Sequence, residues 1–102
     1  MIVVKPIATV PAPSFSRESW ELVLATWEDR RPKLSYAEHL EQERKVADAL
    51  RAQGIAVEEI AIDAKKMLSW LAKEKRKNDG QGRAAYLAEA ARCRNLGRPE
   101  PE

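Results

Sequence analysis

Cysteine and histidine are all but missing from this 102-residue chain, which has one of each, Cys93 and His39. A single thiol cannot close an intramolecular disulfide, so nothing in the cysteine usage calls for an oxidising compartment. A zinc centre needs several His or Cys ligands at recognisable spacing. His39 has no such companions, so it reads as a solvated or partly buried helix side chain. Cys93 lies between two arginines but lacks a visible base, and reads as a small semi-buried apolar residue. Residues suited to a pleated sheet are scarce, with one Phe and two Tyr.

Long apolar runs are missing too. Met1-Ile2-Val3-Val4 is cut short by Lys5 and Pro6, below the length of a secretory hydrophobic region. No stretch approaches a membrane span. The expected location is the cytoplasm, with no membrane partner. No P-loop or nucleophile-elbow pattern occurs. Gly80-Gln81-Gly82-Arg83-Ala84-Ala85 fits a loose dinucleotide pattern, but a lysine-rich helix precedes it where that motif needs a strand. No cofactor and no metal are therefore expected. Catalysis would require the scattered carboxylates, His39 or Cys93 to meet in one pocket.

What the chain does have is charge sorted by position. Residues 1–64 carry 8 Lys/Arg against 11 Asp/Glu, and residues 65–98 carry 10 against 3. A −3 segment thus precedes a +7 segment, and Glu100 and Glu102 restore the formal total of +2. A concentrated cationic segment points to an anionic partner: an acidic protein face or nucleic acid.

The chain length suits one domain with a modest core. Residues 1–14 hold Pro6, Pro11 and Pro13 and read as an extended apolar arm. A first helix is expected from Arg17 to Asp29, with Trp20, Val23, Leu24 and Trp27 on one face. Ser35 and Glu38 form an S-x-x-E capping box for a second helix that runs to Gln53 and stops at Gly54. Val57, Ile60, Ala61, Ala64, Met67, Leu68 and Leu71 repeat at helical spacing, which predicts one long third helix from Val57 to Lys77. The competing reading makes residues 55–62 a short strand, with Asp63 capping a shorter helix. Residues 78–82 form a turn, and a fourth helix from Arg83 to Asn95 buries Ala84, Leu87, Ala88 and Ala91. Residues 98–102 are expected to be a disordered polar tail. The fold class is thus mainly α: a compact four-helix domain behind a Pro-rich arm, with the first, third and fourth helices sharing the core and the second lying across them.

On a helical wheel, Lys66, Lys73, Arg76 and Lys77 fall opposite the apolar stripe of the third helix, with Trp70 at the border. Arg83, Arg92 and Arg94 on the fourth helix extend this into one expected basic surface. The function expected from it is that of a non-enzymatic accessory or regulatory protein that binds an acidic protein face. Nucleic-acid binding through the same residues is the alternative. It is weakened by the small total charge and by Glu58 and Glu59, which would meet phosphate at the start of any recognition helix near Gly54. Self-association through the arm or the second helix is a further expectation.

Overall fold

A computed structural model of the protein describes residues 8–102. The elements run β1 (Thr9–Ser14), α1 (Arg17–Ala25), α2 (Tyr36–Ala52), β2 (Ala56–Ala61), α3 (Ala64–Lys73) and α4 (Gly80–Asn95). The domain is mainly helical, and its two strands pair in parallel, with Thr9 opposite Ala56 and Ser14 opposite Ala61. Of the apolar arm, Ile2, Val3, Val4 and Ile7 lie outside the described residues.

The long third helix is replaced by a strand, a corner and a shorter helix. Val57, Ile60 and Ile62 are β-branched and accept an extended backbone. Val10–Ser14 gives them a ladder to join. The Ala56 N–H donates to the Ala8 carbonyl and the Ile62 N–H to the Ser14 carbonyl, each at 2.9 Å. Along a strand, the N–H and C=O of one residue face the same edge. Val10 and Ala12 therefore point toward β2, while Pro11 and Pro13 fall on the open edge, where a missing N–H costs nothing. Asp63 then accepts from the N–H groups of Lys65 (2.9 Å) and Lys66 (3.4 Å) and starts α3.

The C-terminal ends of α2, α3 and α4 follow one pattern. At α2 and α4 a left-handed glycine, Gly54 (φ 80°) or Gly97 (φ 68°), turns the chain. The next N–H reaches back to the carbonyl of Leu50 or Cys93. At α3 the same turn is made without glycine: Lys75 has φ 55°, and the Arg76 N–H donates to the Leu71 carbonyl at 2.8 Å. This turn ends the helix at Lys73. At the start of α2, Ser35 and Glu38 form both bonds of the capping box.

The core is built from Phe15, Trp20, Val23, Ile60, Ile62, Ala64, Met67, Leu71, Tyr86 and Ala90. On β2, Val57 and Glu59 face α2 while Glu58 and Ile60 face α4, so the small sheet lies between two helices. The stripe expected on α4 is displaced: Gly82, Tyr86, Ala90 and Cys93 are buried, and Ala84 and Ala88 are exposed. A Cβ on Gly82 would lie 2.0 Å from the Lys77 carbonyl oxygen, so only glycine lets α4 start this close to the preceding turn. α2 buries only His39 fully, and Leu40 and Val46 stay about half exposed.

The segment expected to be a disordered tail is folded back. The Glu100 carboxylate accepts from the Asp63 N–H at 3.0 Å and from the Tyr86 hydroxyl at 2.5 Å, and that hydroxyl also lies 2.6 Å from the Pro101 carbonyl. Burial first, and then Glu100, raise the Tyr86 pKa well beyond its ordinary value.

Candidate functional site

The residues expected to form one basic surface part into two groups. Lys66, Trp70 and Lys73 lie at i, i+4 and i+7 on α3 and share one stripe. Trp70 is half-buried and packs edge-on against Tyr86, with ring centroids 5.4 Å apart. Lys73 is exposed and its Nζ lies 3.3 Å from the Glu102 carbonyl. Arg76 and Lys77 are exposed as well, but they follow the left-handed turn at Lys75 and so leave the helix wheel on which the sequence pattern placed them. Among the described residues, Lys66, Lys73, Arg76 and Lys77 form no ion pair.

The three arginines of α4 differ from these. Arg83 is turned inward. Its guanidinium bonds the Asp29 carboxylate, donates to the Asn78 carbonyl (3.1 Å) and Oδ1 (3.0 Å), and lies over the Trp27 ring at 4.6 Å from the centroid. The side chains of Arg83 and Asp29 keep only 13% and 8% of their exposure. Burial alone would push the Asp29 carboxyl up, but bonds from Arg83 and the Gly80 N–H outweigh it and leave the pKa below the ordinary value. Arg92 pairs with Glu89 one turn back, and Arg94 spans to Glu58 and the Glu59 carbonyl on β2. Arg83, Arg92 and Arg94 therefore already hold partners, two of them from the acidic first half of the chain. The cationic surface shrinks to α3 and the residues just after it.

A second feature escaped the sequence reading. A hollow of about 260 Å³ opens between α2 and the aromatic layer, lined by Phe15, Trp20, Trp27, His39, Glu43 and Arg83 among others. His39 is a buried residue at 5% exposure, stacked on Trp20 with centroids 3.9 Å apart and planes 15° from parallel. Burial, then the Arg83 charge, lower its pKa, so the ring favours the neutral form. Among the described residues neither of its ring nitrogens is hydrogen-bonded. Glu43, one turn further along α2, has its pKa raised by burial alone. Folding thus does bring His39 and a carboxylate to one cavity, as catalysis would require, while Cys93 lies elsewhere. The lining contains no Ser, Thr, Cys or Lys to act as a nucleophile.

No protein-family model matches the chain, nor does any curated protein or solved structure at a significant level. Among the described residues no helix is long and apolar enough to cross a membrane, and no group of three or more His, Cys, Asp or Glu side chains could hold a metal ion.

Proposed function

We propose that this is a non-enzymatic accessory or regulatory protein that binds a partner protein with an acidic face through α3, using Lys66, Trp70 and Lys73, with Arg76 and Lys77 extending the surface past the helix end. The carrying observation is a cluster of cations outside any ion pair among the described residues, beside a half-buried tryptophan, whereas Arg44, Arg51, Arg83, Arg92 and Arg94 each hold a carboxylate. Charges outside any ion pair that flank a half-buried tryptophan attract an incoming acidic surface and speed its encounter, with Lys73 exchanging its contact to the Glu102 carbonyl for one to the partner. The indole supplies the apolar anchor that a charge patch alone lacks.

The test is a charge-reversed variant, Lys66→Glu with Lys73→Glu and Lys77→Glu. Among the described residues the Lys66 and Lys77 side chains make no hydrogen bond and Lys73 reaches only the Glu102 carbonyl, so the fold is expected to persist by circular dichroism. Capture of protein partners from nuclease-treated lysate should disappear with the variant. Capture that survives unchanged removes α3 from the interface. Capture lost on nuclease treatment, together with salt-sensitive binding to an oligonucleotide, transfers the surface to nucleic acid.

A further inference from the structure

We propose that the hollow between α2 and the aromatic layer is a binding site for a small aromatic amine, its ring held against Phe15, Trp20 and Trp27 and its N–H groups donated to Glu43 and His39. None of Lys66, Trp70 or Lys73 lines this hollow, so the inference stands or falls separately from the reading of α3.

Three observations converge on this ligand. The first is shape. A cavity of about 260 Å³ lies just below the usual range for drug-sized ligands and suits one ring system with a short side chain. The second is the nature of the walls. The Trp20 and Trp27 N–H groups are already spent on the carbonyls of Leu34 (2.9 Å) and Arg31 (3.0 Å). What these residues leave to the cavity is ring surface, which favours stacked or edge-on aromatic contacts.

The third is the unpaired polar set. His39 is nine-tenths buried, yet its ring nitrogens hold no hydrogen bond among the described residues. A neutral imidazole offers one acceptor and one donor. Glu43, on the same helix face, is half-buried and takes part in no salt bridge or side-chain hydrogen bond among the described residues. The positive charges of the wall do not answer it. Arg83 is committed to Asp29, and Arg31, exposed at the rim, forms no ion pair with Glu43 among the described residues. Among the described residues Glu43 is the only carboxylate lining the cavity, and no cation pairs with it. Among the described residues no fully buried side-chain N or O atom lacks a partner, so these two groups open to solvent through the hollow, where a charged or strongly polarised N–H donor can replace water. An aromatic carboxylate would place a second negative charge beside Glu43.

The experiment is an amide-resolved NMR titration of the full chain near neutral pH with tryptamine, phenethylamine and benzamidine, against indole and indole-3-acetate as matched neutral and anionic probes. At least one amine should give saturable shifts confined to residues lining the hollow, binding more tightly than indole and far more tightly than the acid. Glu43→Gln keeps the size of the side chain and should weaken the amine by about tenfold or more while leaving indole unchanged. Ala84→Phe, at an exposed position on the rim, should block all the probes. The variants' own spectra report whether they are folded. The proposal is overturned by the absence of saturable shifts with all three amines, by equal affinity for amine and acid, or by a folded Glu43→Gln variant that binds the amine as wild type does.

Discussion

Replacing Arg83 with Met removes a cation without removing much volume, and it separates a structural arginine from a surface one. The loss is worked from the contacts. Arg83 bonds Asp29, makes two further bonds to Asn78 at 3.0 and 3.1 Å, and covers the Trp27 ring. Asp29 is left at 8% exposure with the Gly80 N–H as its remaining partner, at 2.6 Å. Removing one member of a buried pair costs about 3–5 kcal/mol, because the other charge stays desolvated. The cover is thin here, so the low end, about 3 kcal/mol, applies. A domain of this size holds roughly 5–15 kcal/mol in all. With a urea slope of about 1.5 kcal/mol per molar, the midpoint should fall by about 2 M.

Urea titrations followed by tryptophan fluorescence give the measurement, since Trp20 and Trp27 sit beside the pair. The double variant Asp29→Asn with Arg83→Met supplies the control. Its loss should be smaller than the sum of the two single losses by about 1–3 kcal/mol, the signature of residues in one network. An Arg83→Met variant within about 0.5 kcal/mol of wild type, the ordinary range for a surface substitution, would show that Arg83 is solvated. The residue would then belong to the cationic surface, and the division of that surface into paired and unpaired groups would fail.

The reason Arg83, Arg92 and Arg94 looked alike in sequence is that charge and helical phase are local properties, whereas pairing is not. Asp29 lies 54 positions from Arg83, and Glu58 lies 36 from Arg94. The well-read features were those with local causes: the Ser35–Glu38 box, the glycine stop at 54, and the Trp20–Val23 face of α1, although that helix ends at Ala25, short of the expected Asp29, and leaves Trp27 outside it. Residues 57–64 have apolar spacing that suits a helix and β-branched content that suits a strand. The deciding partner, Val10–Ser14, is more than forty residues upstream. The same applies to α4. Tyr86, not Leu87, is buried because its hydroxyl finds Glu100 and Pro101 once the last residues fold back. His39 carries no local signal at all. Its burial is set by Trp20, on another helix.

Three further outcomes test this account. Gly82→Ala forces a methyl against the Lys77 carbonyl, which belongs to backbone and cannot swing away. It should cost about 3 kcal/mol by thermal melting, and a variant as stable as wild type means α4 starts further from that turn. Glu100→Ala deprives the Asp63 N–H of its acceptor and leaves the Tyr86 hydroxyl with the Pro101 carbonyl alone, so a loss of about 1–2 kcal/mol is expected, and no change means that the Glu100 carboxylate is not docked. The last outcome concerns pH. Burial, with Arg83 adding to it, holds the folded His39 pKa below the ordinary value, so on acidification the unfolded chain takes up this proton first. Where the unfolded state binds more protons, stability rises with pH, so the urea midpoint should drop as pH falls from about 7 to about 5.5. Glu43, raised by burial, acts oppositely: its native form gains a proton before the unfolded one does, so acidification relieves its cost. The two are separated by His39→Phe, which keeps a ring against Trp20 and removes the imidazole. In that variant the fall should vanish, or give way to a small rise carried by Glu43. An unchanged fall would mean that His39 is not the group being protonated and that its stacked, desolvated position beside Trp20 is wrong.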